Sequence, residues 1–178
     1  NIQSHRAWSQ TVASLETINA NKPIRQVAGK RIVKLYKRIL QEGSSITPES
    51  RDEDLHELRK TCKKFRYLVE FFHVFYPENV VRDLLKTLKQ LQDHLGEFQD
   101  LCVQTVQLSD FAEQMQQEKL ADTKTIMAMG VLVEKLNVRK AAIRTEFEHC
   151  FRTFAQPDNR VAFMKTFSLQ NQSRGRTV

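Results

Sequence analysis

Residues 56–72, HELRKTCKKFRYLVEFF, decide the fold predicted for this chain. The apolar residues of this stretch recur at three- and four-residue intervals, which places them on one face of an α-helix: Leu58, Cys62, Phe65, Val69 and Phe72. Between Arg59 and Arg66 there are five basic residues and no acidic one. At 100° per residue, one stripe roughly opposite the apolar face holds His56, Arg59, Lys60, Lys63, Arg66 and Tyr67.

The same helical spacing continues along the chain on both sides of this stretch. It predicts helices over 24–41, from Ser50 to near Tyr76, over 78–95 and 98–115, with weaker patterns over 121–136 and 138–156 and a short helix after Pro157. Ser50 and Glu53 are expected to form a capping box, and Gly43 a left-handed cap, while Gly96 is expected to interrupt or closely pack its helix. No convincing period-two strand pattern occurs. We predict an all-α antiparallel bundle with four or more long helices.

The length of 178 residues favours one domain with a substantial core. We expect a helical N-terminal segment over 1–21, the bundle over 22–167 and a flexible basic tail over 168–178. The longest uncharged apolar run, 127–133, is too short to span a bilayer. Three widely spaced cysteines without a CxxC pair predict reduced thiols and an intracellular, most simply cytoplasmic, protein.

The excess positive charge is concentrated in one part of the chain. The net charge is +7, and residues 22–90 carry 16 Lys and Arg against 9 Asp and Glu, whereas residues 91–178 carry 11 of each. Two neighbouring helices repeat the cationic row, with Arg31, Lys34 and Arg38 before the central stretch and Lys86 and Lys89 after it. Because like charges three or four residues apart weaken a helix, these rows indicate an anion-binding surface.

The distribution of aromatic residues bears on which anion binds. Phe65, Phe71, Phe72 and Phe75 are predicted at or near the apolar seam, so only Tyr67 shares the basic stripe. Single-strand binders place aromatic platforms among their cations. The pattern therefore favours a polyanion without bases over nucleic acid, with an RNA-binding helical module as an alternative.

Enzymatic motifs are not supported by the sequence. His56-Glu57 begins like the zinc motif HExxH, but Lys60 stands where the second ligand is required. Phosphotransfer through His56 as a phosphoacceptor stays an alternative. Asp93, Glu97 and Asp100 have helical spacing typical of capping or of bridges to the basic face. We expect no catalytic residues, no metal and no cofactor.

The central stretch resembles the signature helix of the CHAD domain, the conserved histidine α-helical domain. Residues 88–100, LKQLQDHLGEFQD, are similar to that family's LQ-x-x-LG-x-x-x-D element, and residues 23–43 are similar to the basic helix before the signature. The resemblance covers about 22–136 and corresponds to the C-terminal half of the family domain.

This resemblance implies a non-catalytic module that binds inorganic polyphosphate in a basic cleft, without a membrane. A homodimer or an absent first half would complete the cleft. With the basic stripe, the resemblance assigns ligand binding to Arg31, Lys34, Arg38, His56, Arg59, Lys60, Lys63, Arg66, Lys86 and Lys89. His56 is expected to add a donor when protonated, so that affinity rises as the pH falls toward six.

Overall fold

The computed structural model describes residues 23–168. Within this range the chain forms five α-helices: α1 (Ile24–Ser45), α2 (Asp52–Phe72), α3 (Glu78–Gln117), α4 (Thr123–Phe154) and α5 (Pro157–Ser168). A 3₁₀ turn, His73–Phe75, joins α2 to α3. Four of the helices are long and the described residues contain no strand, so the predicted all-α bundle is confirmed. The helix expected over 1–21 and the tail after Ser168 lie outside the described residues.

The core forms where α1, α2 and α5 pack against the N-terminal part of α3 and the C-terminal part of α4. Its centre is aromatic: the ring of Tyr36 stacks on Phe163 at 3.8 Å between centroids and lies 5.9 Å from Phe65 and 5.7 Å from Phe154. These side chains are fully buried. Because aromatic rings bury the largest apolar areas, this cluster is a major source of the bundle's stability. None of the helices in 23–168 has the length and apolar character of a membrane span.

The helix α3 is continuous, which corrects the predicted break near Gly96. Leu95 and Phe98 on either side of this glycine are both buried on the same seam. A helical glycine costs only about 1 kcal/mol, and burial of the seam outweighs that cost. Likewise, the two patterns over 121–136 and 138–156 form one helix, α4, which begins where the Asp122 carboxylate accepts the Thr125 N–H at 2.8 Å.

Gly43 has a different role from the one predicted. It is a buried residue inside α1, and no described glycine has a positive φ. A Cβ atom at position 43 would overlap the ring of Phe151. Gly43 therefore allows α4 to approach α1 closely, and α1 continues two residues beyond it to Ser45.

The start of α2 also differs from the prediction. The residue before the helix is Arg51, and its N–H donates to the carboxylate of Asp54 at 3.0 Å. The Ser50 hydroxyl instead accepts the N–H of Thr47 at 2.9 Å. The predicted capping box of Ser50 and Glu53 is therefore wrong by one residue: Arg51 and Asp54 form the pair at the start of α2. The Ser50 hydroxyl stabilises the preceding turn instead.

Candidate functional site

A groove lies between α2 and α3, and its α2 wall is cationic. It encloses about 290 Å³ and is lined by Arg59, Lys63, Arg66, Tyr67, Gln92 and Asp93; we call it the cationic groove. The basic stripe of α2 therefore flanks the apolar seam instead of standing opposite it. Around the axis of α2, the row of Arg59, Lys63 and Arg66 lies less than 180° from the apolar seam. This places the row on the side of α2 that faces α3.

Arg59 occupies the centre of this region. It also lines an adjoining cavity of about 500 Å³ with Gly96, Glu97 and Asp100 of α3. A Cβ atom placed at Gly96 would lie 3.6 Å from Nη2 of Arg59, which is an ordinary van der Waals distance. The approach of the Arg59 guanidinium to α3 therefore does not require a glycine at this position.

Two polar atoms in the groove have no hydrogen-bond partner among the described residues. They are Nε of Arg59 and Oε1 of Gln92, and both are shielded from solvent. A buried donor or acceptor left unpaired costs about 1–3 kcal/mol. Nε of Arg59 can only donate, and because this atom is shielded, the groove presents the rest of the guanidinium together with Lys63 and Arg66 to an incoming anion.

Several predicted cations are already paired with a carboxylate on their own helix. Nε of Arg66 lies 2.7 Å from Glu70, and Nζ of Lys89 lies 2.5 Å from Asp93. Lys60 pairs with Glu57 at 2.6 Å. These pairs are exposed, and such pairs contribute about 0–1 kcal/mol. An incoming anion can therefore displace them at small cost.

Arg38 is also paired with a carboxylate, but it lies on α1 and not on α2 or α3. Its Nε contacts Glu42 at 2.6 Å, and this carboxylate raises the pKa of the guanidinium. Arg31, Lys34 and Arg38 are exposed on α1, which packs against α2 away from α3. These three residues, with Lys60 and Lys86, do not line the cationic groove. Lys89 does not line it either, but it contacts Asp93, which does.

His56 lies one turn before Arg59, near the groove but outside its lining. Its Nδ1 is 2.6 Å from Oε1 of Gln99. Possible metal-ligating atoms of Glu53, His56 and Glu57 lie within 4.8 Å of one another. However, Glu57 is engaged by Lys60 and His56 by Gln99, so this group forms ordinary pairs between helices and along α2.

Phe71 does not lie at the apolar seam, where the sequence predicts it. It is 75% exposed, although its ring contacts Phe72 edge to face at 4.8 Å. Tyr67, one turn earlier, is 65% exposed. Two aromatic side chains therefore project beside the cations of α2. A helical wheel indicates this, since Tyr67 and Phe71 are four residues apart on the side away from the seam.

Gln92, Asp93 and Gly96 were not assigned to the site from the sequence. Their spacing places Gln92 and Gly96 on one face of α3, and both occur within the stretch 88–100. That stretch indicated a family element, but the face of α3 that meets α2 is decided by tertiary packing.

Comparison with protein families identifies the family of this chain. The model of the CHAD domain matches residues 2–109, more than half of the chain. The chain therefore belongs to the CHAD domain family. CHAD domains are in general binding modules without catalytic activity, and the family is associated with polyphosphate binding. Comparison with curated proteins finds no match.

Proposed function

We propose that this chain is a non-catalytic module that binds inorganic polyphosphate, or a similar polyanion, through the cationic groove. The observation that carries the proposal is the position of Arg59. Its side chain lines a groove that Lys63 and Arg66 of the same helix also line, so three cations border one concavity. Family membership supports the same class of ligand.

The binding step follows from the chemistry of these side chains. A phosphate oxygen accepts from Arg59, whose planar guanidinium offers directed donors, while Lys63 contributes a mobile point charge. Arg66 and Lys89 exchange Glu70 and Asp93 for phosphate oxygens. Each such exchange releases a carboxylate to solvent, where it is well hydrated. Asp93 also repels an anion at the groove's edge, so the Lys89 exchange is the weaker of the two.

The remaining predicted residues serve a polymer better than a single phosphate. Arg31, Lys34, Arg38, Lys60 and Lys86 lie outside the groove, on exposed surfaces of α1, α2 and α3. A flexible anion anchored at Arg59 extends over these surfaces and gains electrostatic attraction there. Affinity should therefore increase with chain length and decrease steeply with salt, as for nucleic-acid backbones.

Single-stranded RNA is the second candidate, and one observation favours it. Tyr67 and Phe71 are 65% and 75% exposed beside the cations of α2. Exposed aromatic rings next to basic side chains are typical of single-strand binding, in which bases stack on the rings. Polyphosphate has no bases to stack on these rings. Removal of the Phe71 ring, which does not line the cationic groove, therefore distinguishes the two ligands.

The test is a competition between long-chain polyphosphate and single-stranded RNA at fixed ionic strength. We expect polyphosphate to be preferred, and Lys63→Glu to weaken its binding at least about tenfold, or about 1.4 kcal/mol. The control is Lys64→Glu, an exposed residue of the same helix that does not line the groove, for which we expect a change below about threefold.

Two further variants complete the experiment. Arg59→Gln should weaken polyphosphate binding, while Phe71→Ala, at an exposed ring outside the lining of the cationic groove, leaves it unchanged. Preference for RNA together with loss of RNA binding on Phe71→Ala would establish the second candidate instead. Equal effects of the substitutions at Lys63 and Lys64 would remove the groove from the binding site.

A further inference from the structure

The cationic groove continues at one end into the cavity beside Arg59. The two concavities share three lining residues, Arg59, Gln92 and Asp93. The helices α2 and α3 run antiparallel, since Arg59 lies beside Gly96 and His56 beside Gln99. The cavity therefore extends from Arg59 toward the C-terminal end of α3, and the groove and the cavity form one trough with Arg59 at their junction.

The charge along this trough changes sign near the junction. Residues of α3 that are three or four positions apart form one stripe that passes through Asp93. Before Asp93 this stripe is basic, and from Asp93 onward it is acidic: Arg82, Lys86 and Lys89, then Asp93, Glu97 and Asp100. The α2 wall of the groove adds three further cations, Arg59, Lys63 and Arg66. Positive charge is therefore concentrated on the groove side of the junction.

The cavity beyond Arg59 offers an anion little to bind. Among the described residues that line it, Arg59 is the one basic side chain, and there are three carboxylates, those of Asp93, Glu97 and Asp100. Glu97 is paired with Arg139 of α4 at 2.7 Å. Asp100 is exposed and forms no ion pair within residues 23–168. A phosphate that entered the cavity would therefore be repelled by the carboxylate of Asp100 without a free cation to compensate.

Exchange of ion pairs does not remove this difference between the groove and the cavity. When Arg66 exchanges Glu70 for a phosphate oxygen, the released carboxylate lies outside the lining of the groove. When Arg139 exchanges Glu97, the released carboxylate lines the cavity itself and repels the phosphate. A polyanion is thus stabilised on one side of Arg59 and opposed on the other.

The phosphates of a polyphosphate chain also differ in what they offer Arg59. An internal phosphate has one negative charge and two oxygens outside the chain. A terminal phosphate has three such oxygens and a second charge, which ionises near neutral pH. Because a guanidinium binds two oxygens of one phosphate through parallel N–H donors, the end of the chain gains the most at Arg59.

We propose that the cationic groove binds the end of a polyphosphate chain, with the terminal phosphate at Arg59 and the next phosphates along Lys63 and Arg66. This inference rests on the function proposed above and adds a direction to it. An internal segment would have to continue past Arg59 along Asp100, whereas a chain end does not. The other end of the chain extends over the exposed cations outside the groove, so end binding is compatible with higher affinity for longer chains.

The test compares two forms of one linear polyphosphate of about 100 phosphates, one with free ends and one with both terminal phosphates converted to phosphoramidates of a neutral amine. Blocking the ends removes about two of roughly 100 charges, so general electrostatic attraction is almost unchanged. We expect the blocked chain to bind at least about tenfold more weakly by titration calorimetry. With protein in excess at about 0.15 M salt, sedimentation should find no more than one protein per free chain end, whatever the chain length.

A pair of α3 variants tests the role of the cavity. Asp100→Lys gives the cavity a cation and should reduce the difference between free and blocked chains to below about threefold. Asp110→Lys makes the same change in charge at an exposed position farther along α3 and should retain the full difference. Since the ratio of two affinities is compared, a general effect of net charge cancels. Far-ultraviolet circular dichroism shows whether each variant is helical.

The outcomes separate this inference from the proposed function. Equal affinity of the free and blocked chains, with both weakened by Lys63→Glu, would overturn end binding and leave the groove as the binding site. A number of bound proteins that rises in proportion to chain length would also overturn it. Binding of either form that Lys63→Glu leaves unchanged would remove the proposed function of the groove and this inference with it.

Discussion

Nδ1 of His56 lies 2.6 Å from Oε1 of Gln99, which links the first turns of α2 to the middle of α3. An amide oxygen only accepts, so Nδ1 carries a proton in this pair. This hydrogen bond fixes the orientation of the His56 ring against α3, one turn from Arg59.

Glu70→Gln should strengthen anion binding. The substitution removes the carboxylate that lies 2.7 Å from Nε of Arg66, so Arg66 becomes available to phosphate without an exchange. Because exposed pairs of this kind are worth about 0–1 kcal/mol, the affinity gain should be about two- to fivefold by fluorescence anisotropy.

A matched pair elsewhere controls for net charge. Glu148→Gln releases Arg152 from an i,i+4 contact on α4 and changes the net charge by the same amount. Its effect on anion binding should be much smaller. An equal increase in both variants would mean that overall charge, not the groove, governs affinity.

Gly43→Ala should destabilise the protein although alanine favours helix. The new methyl group would overlap the Phe151 ring, and overpacking of this kind costs about 1–3 kcal/mol. Gly130→Ala is the matched control, since no atom lies within 4 Å of a Cβ there and the change should stabilise by about 0.5–1 kcal/mol. Urea unfolding midpoints measure both; a stable Gly43→Ala would show that the ring moves freely.

Asp52 should contribute to acid sensitivity. Burial opposes its ionisation, but hydrogen bonds and charge from Lys140, Cys102 and Arg144 outweigh this and lower its pKa below the ordinary 3.8. A lowered pKa in the folded state stabilises the protein above the unfolded value and ceases to do so as the pH falls through the folded value. The stabilisation is therefore lost below about pH 4.

Asp52→Asn should accordingly reduce stability at about pH 7 and flatten its decline toward about pH 3. Urea titrations at both pH values test this. Asp83→Asn, an exposed carboxylate on α3, should retain the decline. Parallel pH profiles for Asp52→Asn and the unaltered chain would contradict the assignment.

The helices were predictable because their apolar seams keep one phase over long stretches, as in α3 from Leu84 to Leu101. The roles of the glycines were harder to predict. Whether Gly43 caps a helix or admits a neighbour depends on Phe151, more than a hundred residues away. The sequence predicted Arg59 in a basic stripe roughly opposite the seam, whereas that stripe flanks the seam. The residues that line the groove with Arg59 could not be predicted, since local spacing does not specify which side of α3 faces α2.

Between Leu101 and Ile143, the helices α3 and α4 form a two-helix arm in which no residue is buried. The length of this arm can therefore vary between related proteins. Since it adds no fully enclosed side chain to the bundle, matched removal of seven residues from each of its helices preserves the phase of the seam between them. The body can then keep its fold while the reach of the arm changes. Natural insertions and deletions should accordingly concentrate there, in whole heptads.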